Sequence, residues 1–216
     1  MTHQMITSRQ TTRTNYDRLS RWYDILSGSS ERPARVCGVQ MLDIQPGERI
    51  LEIGCGTGES LPMLSSRIDH ARDVIGLDLS SGMLKVAKHK LERQSITNVQ
   101  FMHADGTRLP FGKDVFHSIF MSFTLELFPE TEISHLLMES KRVLRPGGRL
   151  GIVSLLQKDQ PGWMEKGYNW AHHHWPAFID CKPIPLLRLL EQSDFTIRDM
   201  VEKSMWGLTV GIVVTQ

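Results

Sequence analysis

Three glycines, each two residues from the last, follow a short apolar run in "RILEIGCGTGES" at residues 49 to 60. They are Gly54, Gly56 and Gly58, and the polar segment behind them suits the start of a helix. A glycine-rich turn between a strand and a helix lets backbone approach a nucleotide closely. The turn therefore predicts a nucleotide-type ligand, and the alternative is a turn with only a structural role.

The residues that flank the turn indicate which nucleotide it holds. The spacing is GxGxG and not the GxGxxG of dinucleotide sites, and carboxylates stand on both sides, at Glu52 and Glu59. Two carboxylates would repel a diphosphate, whereas they would attract the ammonium and sulfonium groups of S-adenosylmethionine. The flanking charges favour S-adenosylmethionine over NAD.

Two further carboxylates end strand-like segments. Asp78 closes "DVIGLD", twenty residues after Gly58, where a carboxylate can accept from both hydroxyls of a ribose. Asp105 follows "VQFMHA" and can accept from an adenine amino group, with the backbone of Gly106 and Thr107 at the ring edge. The alternative for Asp105 is a cap on the turn that follows it.

The elements that must position these residues alternate along the chain. Strand-like runs are "RILEI", "DVIGLD", "VQFMH", "VFHSIFM" and "RLGIVSL", with helical stretches such as "SSGMLKVAKHKLERQ" and "PETEISHLLMESKRVL" between them. This alternation predicts a parallel sheet with helices on both faces, whose ligands sit at the carboxyl ends of the strands. Two closing strands, in "FTIRDMVEKSMWG" and "LTVGIVVT", are close in sequence and must pair antiparallel.

Four segments in this order, "LEIGCGTG", "GLDLSSGML", "HADGTRLPF" and "RVLRPGGRL", resemble the class I S-adenosylmethionine-dependent methyltransferases. The branch they resemble is typified by the ubiquinone and menaquinone ring methyltransferases, of methyltransferase type 11, and the resemblance covers about residues 15 to 155. It implies a doubly wound, Rossmann-like sheet of seven mostly parallel strands, with the last antiparallel and helices on both faces.

The resemblance also implies roles for single residues. The glycine turn, with Cys55 as a small filler, would hold the methionine part of S-adenosylmethionine, and Leu79 and Met83 would flank adenine. Ser122, just past the fourth strand, would lie near the methionine end. "YDRLSRWYD" resembles a family helix whose tyrosines cover the cofactor, although core packing is the alternative for both. The predicted cofactor-binding residues are Tyr16, Tyr23, Gly54, Cys55, Gly56, Gly58, Asp78, Leu79, Met83, Asp105, Gly106, Thr107 and Ser122.

The acceptor side of the site is less defined. The family's usual "LHH" after the fourth strand is replaced by "TLELF", and His117 stands where the family often has Asp. An aromatic lid or substrate segment is expected at residues 156–182, in which Trp170 and Trp175 could line an apolar pocket. His172, His173 and His174 are candidate general bases. No metal site is predicted, because adjacent helical residues point about 100° apart.

The composition limits which other classes of protein the chain can belong to. The 216 residues carry 40% hydrophobic and 23% charged residues and a net charge of +1, which suits one domain at 15–216 behind a mobile segment at 1–14. Without a long run of basic residues no nucleic-acid partner is expected. Three cysteines without a CxxC pair indicate reduced thiols and a cytoplasmic location. No apolar run is long enough for a membrane span, which leaves peripheral membrane contact and the oligomeric state open.

These observations predict a methyltransferase that passes a methyl group from S-adenosylmethionine to a small or lipid-like apolar acceptor, with a quinone-type ring as the example. A phospholipid amine is the alternative acceptor within the same chemistry. The alternative of another class is a sensor or partner subunit that binds S-adenosylmethionine without catalysis.

Overall fold

A computed structural model describes residues 28–68, 73–157 and 183–216 of the chain. The helices in these ranges are α1 (Gly28–Met41), α2 (Leu61–Ser65), α3 (Ser81–Arg93), α4 (Glu130–Val143) and α5 (Leu186–Gln192), with a 3₁₀ helix at Leu125–Leu127. The strands are β1 (Ile50–Ile53), β2 (Val74–Asp78), β3 (Val99–His103), β4 (Phe116–Ser122), β5 (Leu144–Leu155), β6 (Ile197–Met205) and β7 (Leu208–Thr215).

The seven strands form a single sheet in the order β3-β2-β1-β4-β5-β7-β6. Strands β1 to β5 pair in parallel, whereas β7 pairs antiparallel with β5 on one side and β6 on the other. This arrangement confirms the predicted doubly wound fold with its antiparallel end. Strand order reverses between β1 and β4, so the crevice that binds ligands in such sheets opens at the carboxyl end of β1.

The central strands are covered on both faces, and their residues alternate between two cores. Leu51 and Ile53 of β1 belong to the apolar cluster that α4 and α5 cover, whereas Ile50 belongs to the cluster under α1, α2 and α3. This alternation is the period of two that a strand imposes. In the described ranges no helix is long and apolar enough to cross a bilayer.

One local feature differs from what its composition would indicate. "RPGG" at residues 145–148 has the proline and glycines typical of a turn, yet it lies within β5, where the register against β4 shifts between Phe116 and Ser118. Gly147 has a φ of +76° there, so the glycines bend a continuous strand and do not precede it.

Gly38 lets α1 approach the sheet closely. A Cβ added there would lie 2.7 Å from Val153 Cγ2 and 3.0 Å from Phe120 Cε2, well inside van der Waals contact. The helix therefore rests on β4 and β5 at a distance that only glycine permits. This contact fixes how α1 presents its first turn to the carboxyl edge of the sheet.

We expect Gly38→Ala to destabilise the protein by about 1–3 kcal/mol, because the added methyl group overpacks the contact with β4 and β5. A loss of stability would itself indicate the close contact, since a glycine-to-alanine change inside a helix otherwise stabilises the protein by about 0.5–1 kcal/mol. Urea unfolding measures the change, with Gln40→Ala on the exposed side of the same helix as control. A stabilised Gly38→Ala protein would contradict the close contact.

Candidate cofactor site

The glycine turn after β1 leaves one side open. Gly54, Gly56 and Gly58 have φ values of +70°, +52° and +80°, which L side chains rarely adopt. A Cβ on Gly54 would lie 2.4 Å from Thr124 Cγ2, so the segment after β4 packs directly on the turn. Among residues 28–68, 73–157 and 183–216, no atom lies within 4 Å of a Cβ built on Gly56. In this part of the chain the backbone of Gly56 is therefore open to a ligand.

Asp78 ties the end of β2 to the same turn. Its Oδ2 accepts from the N–H of Gly56 at 2.8 Å and its Oδ1 from the N–H of Ser80 at 2.8 Å. Burial raises the pKa of this carboxyl, and the two backbone donors oppose that effect. The carboxylate thus lies beside the backbone of Gly56, and its contact with a ribose stays a prediction.

The region predicted for adenine contains both exposed and packed residues. Asp105 Oδ1 accepts from the N–H of Thr107 at 2.9 Å and from its Oγ1 at 2.7 Å. Asp105 therefore caps the turn that follows it. Leu79 is 46% exposed, whereas Met83 is only 4% exposed and belongs to the buried core. Gly106 is buried, and a Cβ there would lie 2.9 Å from Ile53 Cγ2. The adenine contacts of these residues stay predictions.

Cys55 is buried within the turn, and a Cβ on Gly76 would lie 3.1 Å from its Sγ. Burial raises the pKa of the thiol well above its ordinary value, and the nearby carboxyls of Asp78 and Glu52 act in the same direction. A thiol that stays protonated is a poor nucleophile. Cys55 therefore fills space beneath the turn.

Helix α1 brings an ion pair to the carboxyl edge of the sheet. Arg35 pairs with Glu31 one turn earlier on the helix, and both side chains are buried. Arg35 Nε also donates to Ser122 Oγ at 3.1 Å, at the end of β4. Its guanidinium lies over the ring of Phe123, 5.5 Å from the centroid. Ser122, predicted to lie near the methionine end, is thus held by this arginine.

Glu52 occupies the neighbouring position at the end of β1 and is 2% exposed. Burial raises the pKa of its carboxyl to about 8. The Ser60 hydroxyl bonds to this carboxyl and, with the charge of Arg35, opposes the shift, while the charges of Asp78 and Glu59 add to it. Near neutral pH the carboxyl therefore binds a proton unless a cation is placed beside it.

Two buried atoms of this group have no hydrogen-bond partner among the described residues: Arg35 Nη1 and Glu52 Oε2. Arg35 Nη1 is a donor on a cationic group, and Glu52 Oε2 is an acceptor on a carboxyl group. The charge of Arg35 also acts on the Glu52 carboxyl. Buried polar groups without partners are costly, so such a pair indicates a ligand with matching groups. The α-amino acid end of S-adenosylmethionine has both, a carboxylate for the guanidinium and an ammonium for the carboxylate. The residues present fit this cofactor.

Sequence reasoning missed Glu31 and Arg35, although a signal was available. Both are in helical phase with the buried positions Ala34, Gly38 and Val39, where an amphipathic helix should place apolar residues. Charged residues on the buried face of a helix need partners, which makes them candidates for a site.

Several predicted residues cannot be compared with the structure. Tyr16 and Tyr23 of the N-terminal segment lie outside the described residues, and so do the predicted substrate and base candidates. The latter are Trp170, His172, His173, His174 and Trp175.

We expect Gly56→Ala to weaken S-adenosylmethionine binding by roughly tenfold or more, because the methyl group would occupy space that the ligand needs. Gly47→Ala is a matched control, since Gly47 has a φ of +81° and a Cβ there also meets no described residue within 4 Å. Both variants should lose about 1–2 kcal/mol of stability from the left-handed conformation. Calorimetry that finds equal affinities in the two variants would contradict the assignment of the turn.

Comparisons with known proteins agree with the fold and with the predicted cofactor. Residues 50–148 match the family described as "Methyltransferase domain". A demethylmenaquinone methyltransferase of Bacillus cereus is 30% identical over 167 residues, which are 76% of this chain and 70% of that protein. One of Listeria welshimeri is 29% identical over 164 residues, 76% of this chain and 67% of that protein.

A crystal structure of an S-adenosylmethionine-dependent methyltransferase from Aquifex aeolicus has the same fold. It superimposes with a TM-score of 0.62 at 20% identity, covering 84% of this chain and 88% of that one. The sheet, the turn and the kinship to the Bacillus and Listeria enzymes lead to one conclusion. The chain belongs to the class I S-adenosylmethionine-dependent methyltransferases, on the branch that it shares with those relatives, and S-adenosylmethionine is its cofactor.

Proposed function

We propose that the methyl acceptor is a quinone-type ring in its reduced, hydroxyl-bearing form. The observation that carries this proposal is the kinship, over 76% of the chain, to enzymes named demethylmenaquinone methyltransferases. The reduced form follows from chemistry, because the methyl group of a sulfonium is an electrophile and needs an electron-rich acceptor. A hydroquinone ring is electron-rich, whereas a quinone ring is not.

In this proposal the carboxyl edge of the sheet holds the cofactor in strand order. Asp105 after β3 takes the adenine, Asp78 after β2 takes the ribose, and the turn after β1 takes the methionine part. Adjacent strands lie about 4.8 Å apart, so three neighbouring strand ends extend over about 10 Å. Glu52 Oε2 accepts from the ammonium, and Arg35 Nη1 donates to the carboxylate. Each of the two buried orphan atoms then has a partner.

When bound, S-adenosylmethionine supplies the electrophilic methyl group. The chain's own contribution is to fix the two reactants in line and to exclude water from them. The ion pair between Arg35 and Glu31 and the bond from Arg35 to Ser122 fix the methionine end relative to β4. Position, and not covalent chemistry by the protein, then accounts for most of the rate.

Glu52→Gln should remove a pH dependence of cofactor binding. Between pH 6 and 7.5 the α-amino group of the cofactor remains largely protonated, whereas Glu52 in the free protein must lose its proton to bind it. Wild-type affinity should therefore rise with pH in this range, with proton release on binding. The variant should bind more weakly and with little pH dependence, as calorimetry in buffers of different ionisation enthalpy would show.

The same variant should be more stable than the wild type without cofactor. The folded-state pKa of Glu52 lies above its ordinary value of 4.5, so the wild type loses stability as pH rises from 4.5 through about 8. Glutamine has no such loss, and the difference in melting temperature should grow towards pH 8. Glu92→Gln, on the exposed side of α3, is the control. A Glu52→Gln protein that binds as tightly as the wild type would place the ammonium elsewhere.

The acceptor itself is tested with S-adenosylmethionine labelled in its methyl group. We expect label in a reduced, prenylated naphthoquinone with an unsubstituted ring carbon, and little with the oxidised form of the same compound. Vesicles containing phosphatidylethanolamine serve as the competing acceptor. Label in the lipid amine would favour the phospholipid alternative, and binding without transfer to any acceptor would favour a sensor.

A further inference from the structure

We propose that Glu126 is the proton acceptor of the methyl transfer, taking the proton of the acceptor's hydroxyl group as the methyl carbon becomes bonded. The proposal rests on the proposed function, because an acceptor with a hydroxyl group is required. It assigns a catalytic role to a residue in "TLELF", the segment in which the sequence offers no histidine.

Glu126 is fixed between the ends of two strands. It lies in the 3₁₀ helix Leu125–Leu127 directly after β4 and is 5% exposed. At the end of β5, Ser154 Oγ donates to its Oε2 at 3.0 Å and the Leu155 N–H donates to its Oε1 at 3.2 Å. Each carboxylate oxygen can accept a second hydrogen bond. The group is thus oriented and still able to accept a proton.

Glu126 lies at the part of the sheet edge that the proposed cofactor position does not occupy, so the acceptor can bind there. Adenine, ribose and methionine take the ends of β3, β2 and β1, and the next strands in the sheet are β4 and β5. Thr124 packs on Gly54, so the segment after β4 adjoins the methionine part of the site. Glu126 lies two residues further on and contacts β5. An acceptor that attacks the methyl carbon away from the ribose enters beside it.

The surroundings of Glu126 keep its proton affinity in the useful range. Burial raises the pKa of its carboxyl to about 7, and the charge of Glu31 on α1 acts in the same direction. The backbone N–H of Glu126 itself opposes the shift, and so do the donors from Leu155 and Ser154 on β5; Arg35 pairs with Glu31. A general base is most effective when its pKa lies near the working pH. The carboxylate form is then populated and is a stronger base than an exposed glutamate.

The step balances as follows for a hydroquinone. The O–H bond breaks and its proton goes to the Glu126 carboxylate, while the oxygen electron pair increases the electron density of the ring. The ring carbon forms the bond to the methyl carbon, and the electrons of the S–CH₃ bond stay on sulfur as a thioether. The methylated ring carbon then loses its proton to water while the ring oxygen takes one proton back from water, which restores the hydroquinone. Glu126 returns its proton to solvent, so that one proton is released for each methyl group transferred.

The first test is Glu126→Gln, which can keep both contacts to β5. The amide oxygen can accept from the Leu155 N–H, and the amide nitrogen can donate to the Ser154 hydroxyl. We expect calorimetric affinity for S-adenosylmethionine to fall by less than about fivefold, since Glu126 makes no contact with the cofactor and only the attraction of its charge is lost. Turnover of the reduced naphthoquinone should fall by roughly 10²–10⁴-fold. The acid limb of kcat/KM for the acceptor near pH 7 should disappear when S-adenosylmethionine is kept saturating at every pH, so that its binding beside Glu52 does not contribute.

Glu48→Gln is the matched control. Glu48 is also buried, and it pairs with Arg149 and accepts from Ser118 at the opposite edge of the sheet. Its loss should lower stability yet leave the acid limb in place. Ser154→Ala provides a second variant that keeps the carboxylate. Removing this hydrogen bond raises the pKa of Glu126, so the acid limb should move to higher pH.

Infrared difference spectra give a readout that needs neither cofactor nor acceptor. The wild type should show a carboxylic acid band that titrates near pH 7 and is missing in Glu126→Gln. A persistent acid limb in Glu126→Gln, an unmoved limb in Ser154→Ala, or no such carboxyl band would each overturn the role of Glu126. A wild type that methylates no hydroquinone contradicts the proposed acceptor itself. The two failures are therefore distinguishable.

Discussion

The rest of the site depends on one constraint. Several carboxyl groups are buried, out of contact with water, at one edge of the sheet. Glu31, Glu52 and Glu126 are all buried there, and among the described residues Arg35 is the buried cation beside them. Buried charges are costly unless they are paired, so the carboxyls respond with raised pKa values. The free protein carries protons in this region that a bound cation can replace. Stability is therefore given up at the place where the proposal puts the ammonium group of the cofactor.

This constraint explains the close packing of α1 on the sheet. Gly38 brings the helix against β4 and β5, and the same helix carries Glu31 and Arg35 at the carboxyl edge. A helix held further away would leave Arg35 in water, where its donors would have solvent partners and no need of a ligand. The close packing at Gly38 therefore helps to keep Arg35 Nη1 buried and without a partner among the described residues.

Sequence alone predicted what repeats along the chain or depends on backbone conformation. The glycine spacing, the carboxylate that ends β2 and the alternation of strands and helices follow from local patterns, and the fold and cofactor were confirmed. The contact of Arg35 with Ser122 could not be predicted, because it joins residues 87 positions apart. The bulge at "RPGG" was missed for a similar reason, since register depends on the neighbouring strand. Glu126 was not considered, because nothing in "TLELF" shows that both its oxygens bond to β5.

The buried charges also bear on the energy of the reaction itself. Methyl transfer removes the positive charge of the sulfonium, and in a region of low dielectric this would leave the nearby carboxylates less compensated than before. If the acceptor's proton passes to Glu126, the positive charge of that proton arrives among these carboxyls as the positive charge of the sulfonium is lost. The net charge of the buried region then stays constant through the step, and no large rearrangement of the surroundings is needed. Once the proton leaves for solvent, the site is again negative and the product thioether has lost the sulfonium charge that the carboxylates attract, so fresh cofactor is favoured over product.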